Sequence, residues 1–185
     1  MNEKIFYNYQ RLLAKVNEFC SGIIKKYGKE IKCSPGCIDC CQQNLSLFPV
    51  EFFFLQQGFK LLPPREKTLI QNRIVNYVPE KSSCILLEKG ICLLYEYRPI
   101  ICRTQGLPLL VTENEIIKKD CCPKNFSFLR LNSLPQFDFL HLERLNTILV
   151  VVNQEFASHH NIEAGKRISI TDLYRLDLNE LISQA

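Results

Sequence analysis

Apolar residues recur along this chain at changing periods, and the changes mark out its elements. Ile5, Tyr9, Leu12, Val16, Phe19, Ile23 and Tyr27 fall three or four positions apart, which predicts a helix over residues 3–27 with one buried stripe. Gly28 stands where a helix-ending glycine belongs. Pro49-Val50-Glu51 reads as a second helix start, with proline in the first turn and an acid beside it, running to about Leu62. Pro63-Pro64 interrupts it, and residues 65–77 suit a third helix with Leu69, Ile70, Ile74 and Tyr77 on one side. The pattern then shortens. Residues 84–87 and 91–95 flank a turn at Lys89-Gly90, and two apolar runs between Leu107 and Ile117 flank Glu113-Asn114, so two hairpins are expected. Leu142, Leu145, Leu149, Val152 and Phe156 restore the helical period and predict a helix over 136–158. Ser133 with Gln136 offers it a capping box, and Pro135 fits its first turn. A last short helix is expected from Thr171 or Asp172 to about Ser183. These elements describe one α+β domain over residues 1–185, mainly α, with helices flanking a cysteine-rich centre.

Composition narrows the class. The chain has 185 residues, 46% of them hydrophobic, and a net charge of +4. That supports a packed core and gives no reason to expect disorder. No apolar run approaches the ~18 residues of a membrane span, so no membrane association is expected. The opening Met1-Asn2-Glu3-Lys4 lacks the features of a secretory signal. The densest basic run, Lys25, Lys26, Lys29 and Lys32, reads as a solvated helix end, and no nucleic-acid partner is expected.

Ten cysteines change the picture. Cys33, Cys37, Cys40 and Cys41 lie in nine residues, Cys84, Cys92 and Cys102 follow, and Cys121-Cys122 close the set. Cys20 falls beside the first helix stripe and reads as a core thiol. Adjacent cysteines are poor partners for each other in a disulfide, so the pattern indicates thiol ligands in a reducing, cytoplasmic setting. Closely spaced thiols gather round one centre at little cost in chain entropy, and thiolates are preferred ligands of zinc and of iron–sulfur clusters. Cys40 and Cys41 are expected to diverge, one facing the main site and the other bracing it or serving a second site. Pro35-Gly36 places a tight turn inside the first loop. The spacing Cys33-x3-Cys37-x2-Cys40 also occurs in radical S-adenosylmethionine enzymes, but their repeated strand–helix barrel needs more residues and does not open on a long helix.

The first loop and the block from Cys84 through Gly90-Ile-Cys92 and Tyr95-Glu96-Tyr97-Arg98-Pro99 to Cys102-Arg103 resemble the YkgJ-type cysteine-cluster family, the zinc- or iron-chelating CxxCxxCC domain. The resemblance spans about residues 30–123. It implies metal binding through Cys33, Cys37, Cys40, Cys41, Cys84, Cys92, Cys102 and one of Cys121 and Cys122, with Cys122 favoured because Pro123 follows it. It implies no established reaction, although the related cysteine-rich region of flagellin lysine methylases leaves a protein substrate or partner open. Arg98 and Arg103 bracket Cys102 and are expected to support the thiolates with charge and N–H donors, with Tyr95 a further support. His141, His159 and His160 are read as structural. More than four thiols favours an iron–sulfur cluster as cofactor, with zinc the alternative, and leaves open a redox or protein-modifying enzyme, a metal carrier or a structural metal domain.

Overall fold

A computed structural model describes residues 6–34, 36–79 and 81–175. The chain is α+β and mainly α. The described residues group into two compact units: residues up to Tyr9, Pro35–Pro99 and Val152 onward form the first, and Gln10–Ser34 with Ile100–Val151 form the second.

The first unit is organised by α2 (Pro49–Leu61). Pro49 at its first position has no N–H to leave unsatisfied, and the chain turns extended at Leu62, ahead of Pro63. Phe52, Phe53, Phe54 and Leu55 are all buried, so this helix is covered all round, as expected of a core element. Phe54 packs against Phe6, Tyr9 and Tyr97 with ring centroids 5.7, 5.3 and 5.3 Å apart. Gly58 leaves the space that the Tyr97 ring occupies. α3 (Pro64–Val75) follows and buries Ile70 and Ile74. Ser46–Leu47 (β1) pairs antiparallel with Ile168–Ser169 (β7). Leu87–Glu88 (β2) and Ile91–Cys92 (β3) form the expected hairpin, with Lys89 and Gly90 at φ 48° and 80°. Arg73 fastens it to α3 by donating to the carbonyls of Ile85 and Leu87 and to the Glu88 carboxylate.

The second unit holds most of α1 (Tyr7–Tyr27), whose stripe buries Leu12, Val16, Ile23 and Tyr27. Cys20 is buried too and donates its thiol to the Arg103 carbonyl at 3.6 Å. Gly28 does not take the left-handed conformation expected of a terminal glycine; instead Glu30 and Ile31 both donate to the Tyr27 carbonyl, at 2.8 and 3.2 Å. The short helix α4 (Ile100–Thr104) leads to a sheet of Leu109–Glu113 (β4), Ile116–Asp120 (β5) and Leu140–His141 (β6) in the order β5-β4-β6. Its hairpin turns at Asn114-Glu115, both with positive φ.

The helix expected over 136–158 begins later: α6 is Leu142–His159. Ser133 ends a separate helix, α5 (Phe128–Ser133), capped by Ser127, and the chain after Pro135 forms one 3-10 turn, 136–138. Asp138 explains the difference. It is buried, accepts from Tyr27 Oη and pairs with Lys26 at 2.6 Å, a tertiary anchor that outweighs the local capping signal. Phe156 of α6 stacks on Phe6 at 5.4 Å. The expected last helix lies mostly outside the described residues.

Candidate metal centre

Five cysteines fall in the first unit. Cys37 lies in the loop, Cys40 and Cys41 end a 3-10 turn (Asp39–Cys41), Cys84 precedes the β2–β3 hairpin and Cys92 lies on β3. The loop and the hairpin are joined at two points. Cys84 N–H donates to the Cys41 carbonyl at 2.8 Å, and Gly36 N–H donates to the Gly90 carbonyl at 3.3 Å. At the second point two backbones touch: a Cβ on Gly90 would stand 3.0 Å from Gly36 Cα.

Electrostatics tie four of these thiols together. Burial pushes the pKa values of Cys40, Cys41, Cys84 and Cys92 up, and negative charge on neighbouring sulfurs adds to the rise: Cys41 and Cys37 act on Cys40, Cys84 and Cys92 on Cys41, and Cys92 and Cys40 on Cys84. Opposing forces act on the same sulfurs. The N–H of Leu86 favours a charged Cys84 and that of Leu94 a charged Cys92, each from two residues ahead. Arg98 favours charged Cys41 and Cys92, and Arg73 favours charged Cys84. The neighbouring thiols act on each other too, Cys41 raising Cys40 and Cys40 lowering Cys41. Tyr95 is 54% exposed and carries the Arg98 guanidinium 3.5 Å above its ring. Cys84 also lines a cleft of about 310 Å³ with Arg73, Tyr77, Lys81 and Ser82.

The remaining cysteines fall in the second unit. Cys102 lies on α4, and Arg103 beside it donates to Asn17 at 3.1 Å. Cys33 sits against Asn125, whose Nδ2 is 3.4 Å from the Cys33 sulfur. Cys122 starts the turn that carries Asn125, whose N–H donates to the Cys122 carbonyl at 2.9 Å. The Cys121 thiol points to the carbonyls of Cys122 and Asn125, at 3.4 and 3.7 Å. Sequence reasoning missed Asn125 and Gly106. The signal for Asn125 was its place in a Cys-Pro-Lys-Asn turn, and for Gly106 an isolated glycine between α4 and a strand. His141 lies on β6. His159 is the last residue of α6 and His160 follows it, packing on Phe156 at 4.6 Å.

Among the described residues, no three His, Cys, Asp or Glu side chains stand as a formed metal-holding group. No helix among them is long and apolar enough to cross a membrane. No family model, curated protein or solved structure matches the chain.

Proposed function

We propose that the first unit binds a thiophilic metal centre, foremost an iron–sulfur cluster, through Cys40, Cys41, Cys84 and Cys92, with Cys37 a further candidate ligand. The observation that carries this reading is the joining of the two cysteine-bearing segments, Cys84 N–H to the Cys41 carbonyl at 2.8 Å and Gly36 N–H to the Gly90 carbonyl at 3.3 Å, with charge on neighbouring sulfurs raising the pKa values of Cys40, Cys41 and Cys84 in support. Buried thiols that raise one another's pKa are costly to ionise in the absence of a cation. A metal offsets that repulsion directly, so its binding releases protons and stabilises the fold. The donor chemistry fits. Leu86 and Leu94 N–H groups already serve two of the sulfurs, and Arg73 and Arg98 balance negative charge, which suits a thiolate-held cluster. When bound, such a cluster supplies electron transfer or an open iron, and the cleft beside Cys84 gives a small reactant access. The resemblance to the YkgJ-type family points the same way and leaves a protein partner or substrate open, and the unpaired, adjacent thiols suit a reducing, cytoplasmic setting. Zinc is the second reading, favoured because the coupled thiols number four, the complement of a closed structural zinc site.

Anaerobic purification with iron, sulfide and zinc analysis tests both readings. A brown protein absorbing near ~400 nm supports the cluster, and colourless protein with one zinc per chain supports zinc. Cys41→Ser and Cys84→Ser should each lose most of the metal while Cys20→Ser keeps it. Full retention in both ligand variants would refute the site.

A further inference from the structure

The second unit contains a thiol pair that this metal centre does not use. Asn125 is fully buried, at 0% exposure, and its amide is fixed on both sides. Its Oδ1 accepts the Lys32 N–H at 2.7 Å, and its Nδ2 donates to the Gly106 carbonyl at 2.7 Å. That fixed amide leaves Nδ2 beside the Cys33 sulfur at 3.4 Å, with Oδ1 at 3.9 Å. Gly106, at φ 88°, completes the arrangement. A Cβ there would stand 3.3 Å from each of Cys33 Sγ, Cys122 Cβ and Asn125 Nδ2, which bounds the Cys33 Sγ to Cys122 Cβ separation at twice that length. Glycine therefore leaves one small space, bordered by two thiol-bearing side chains and a polarising amide.

We propose that Cys33 and Cys122 form a redox-active dithiol that reacts with peroxides and closes to a disulfide. Each residue has a distinct part. Cys33 is exposed, so an oxidant reaches it, and the Asn125 amide fixes the place of its sulfur. The Cys33 thiolate attacks a peroxide oxygen; the O–O bond breaks, and one oxygen leaves as water or an alcohol after taking a proton. Cys33 is now a sulfenic acid, oxidised by two electrons. The Cys122 thiolate then attacks the Cys33 sulfur and displaces hydroxide, which leaves as water with the Cys122 proton. The net change is two thiols and one peroxide to one disulfide, one water and the reduced peroxide. Cys121 is a poor resolving thiol because its S–H is directed at the carbonyls of its own turn, and Cys20 is buried with its thiol on Arg103.

The test uses the full chain, purified anaerobically with its metal, after removal of reductant. One equivalent of hydrogen peroxide is added, and intact mass, disulfide-linked peptides and metal per chain are read on one sample. Cys121→Ser serves as a second background, leaving a single thiol in the doublet. Loss of two hydrogens, a Cys33–Cys122 link in both backgrounds and unchanged metal are expected. In Cys122→Ser, Cys33 should remain a sulfenic acid that dimedone traps at one per chain. A link from Cys33 to any other cysteine, or a Cys33 that stays reduced, would overturn the proposal. So would metal lost in step with the link, which would make these thiols ligands. An absence of metal from the start with the link still formed would count against the metal centre alone.

Discussion

Replacing Gly90 by alanine tests the joint between the first cysteine loop and the hairpin. Gly90 has φ 80°, a conformation that costs an L-residue roughly 1–2 kcal/mol. The added Cβ would also lie 3.0 Å from Gly36 Cα and 3.6 Å from Gly36 N. Both are backbone atoms, so no side chain can swing aside. The loop must retreat, which lengthens the Gly36 N–H to Gly90 carbonyl bond from 3.3 Å and forfeits about 0.5–1.5 kcal/mol. The total is about 2–3 kcal/mol, a large share of the ~5–15 kcal/mol of a typical domain. Two further glycines calibrate it. Gly36→Ala meets nothing within 4 Å at φ 94° and should cost the backbone strain alone, about 1–2 kcal/mol. Gly22→Ala, in α1 with nothing within 4 Å, should stabilise by about 0.5–1 kcal/mol. Urea midpoints with unchanged slopes give the stabilities, and metal per folded chain gives the effect on the site. The expected order of cost is Gly90 above Gly36 above Gly22. A Gly90→Ala protein as stable as wild type and fully loaded with metal would refute the claim that the touching backbones hold loop to hairpin.

Three other outcomes are expected. Cys40, Cys41, Cys84 and Cys92 have pKa values raised above 9.0, chiefly by burial; metal-free protein should therefore hold their contribution below that pH and lose stability as pH rises through the raised values, while metal affinity rises over the same range, and titrating melting temperature with and without metal reads both signs. Asn125→Ala should destabilise by about 2–4 kcal/mol, since it strands the Lys32 N–H and the Gly106 carbonyl in a buried place, and denaturation of the metal-free chain measures it. His160 is held below its ordinary 6.5, first by burial and then by His159, and shares a small cavity with Tyr9, Glu155 and His159; stability should fall as pH drops below 6.5, and His160→Phe should flatten that acid limb in a melting-temperature series.

The long elements were legible because periodicity averages over many residues. Tyr9 through Tyr27 and Leu145 through Phe156 are buried or half-buried as their spacing predicted. Pro49 marked a helix start, and Pro63-Pro64 a break between helices, for steric reasons that operate locally. The start of α6 was not legible, because Ser133 and Gln136 look like a capping box whether or not Asp138 finds Tyr27 and Lys26 across the fold. α4 and α5, five and six residues long, are too short to show a period. At the candidate centre the thiols themselves were plain. Their division between two units was not, since Cys33 and Cys37 are neighbours in sequence. The meeting of Gly36 with Gly90 was equally hidden, because a close approach of two backbones depends on both partners and neither glycine announces the other.

The pairing of β1 with β7 sets a timetable for synthesis. Arg167 donates to the Ser46 carbonyl from 121 positions away, and Ile170 N–H donates to the Leu45 carbonyl at 2.9 Å. At ~5–20 residues per second, the ribosome delivers that partner roughly ten seconds after the first cysteine loop emerges. The Cys84–Cys92 hairpin arrives within the first half of that interval. The thiols of both segments are thus available to the surrounding medium while the strand that pins β1 is still unmade, and a metal captured then would hold the nascent loop and hairpin together ahead of the rest of the fold.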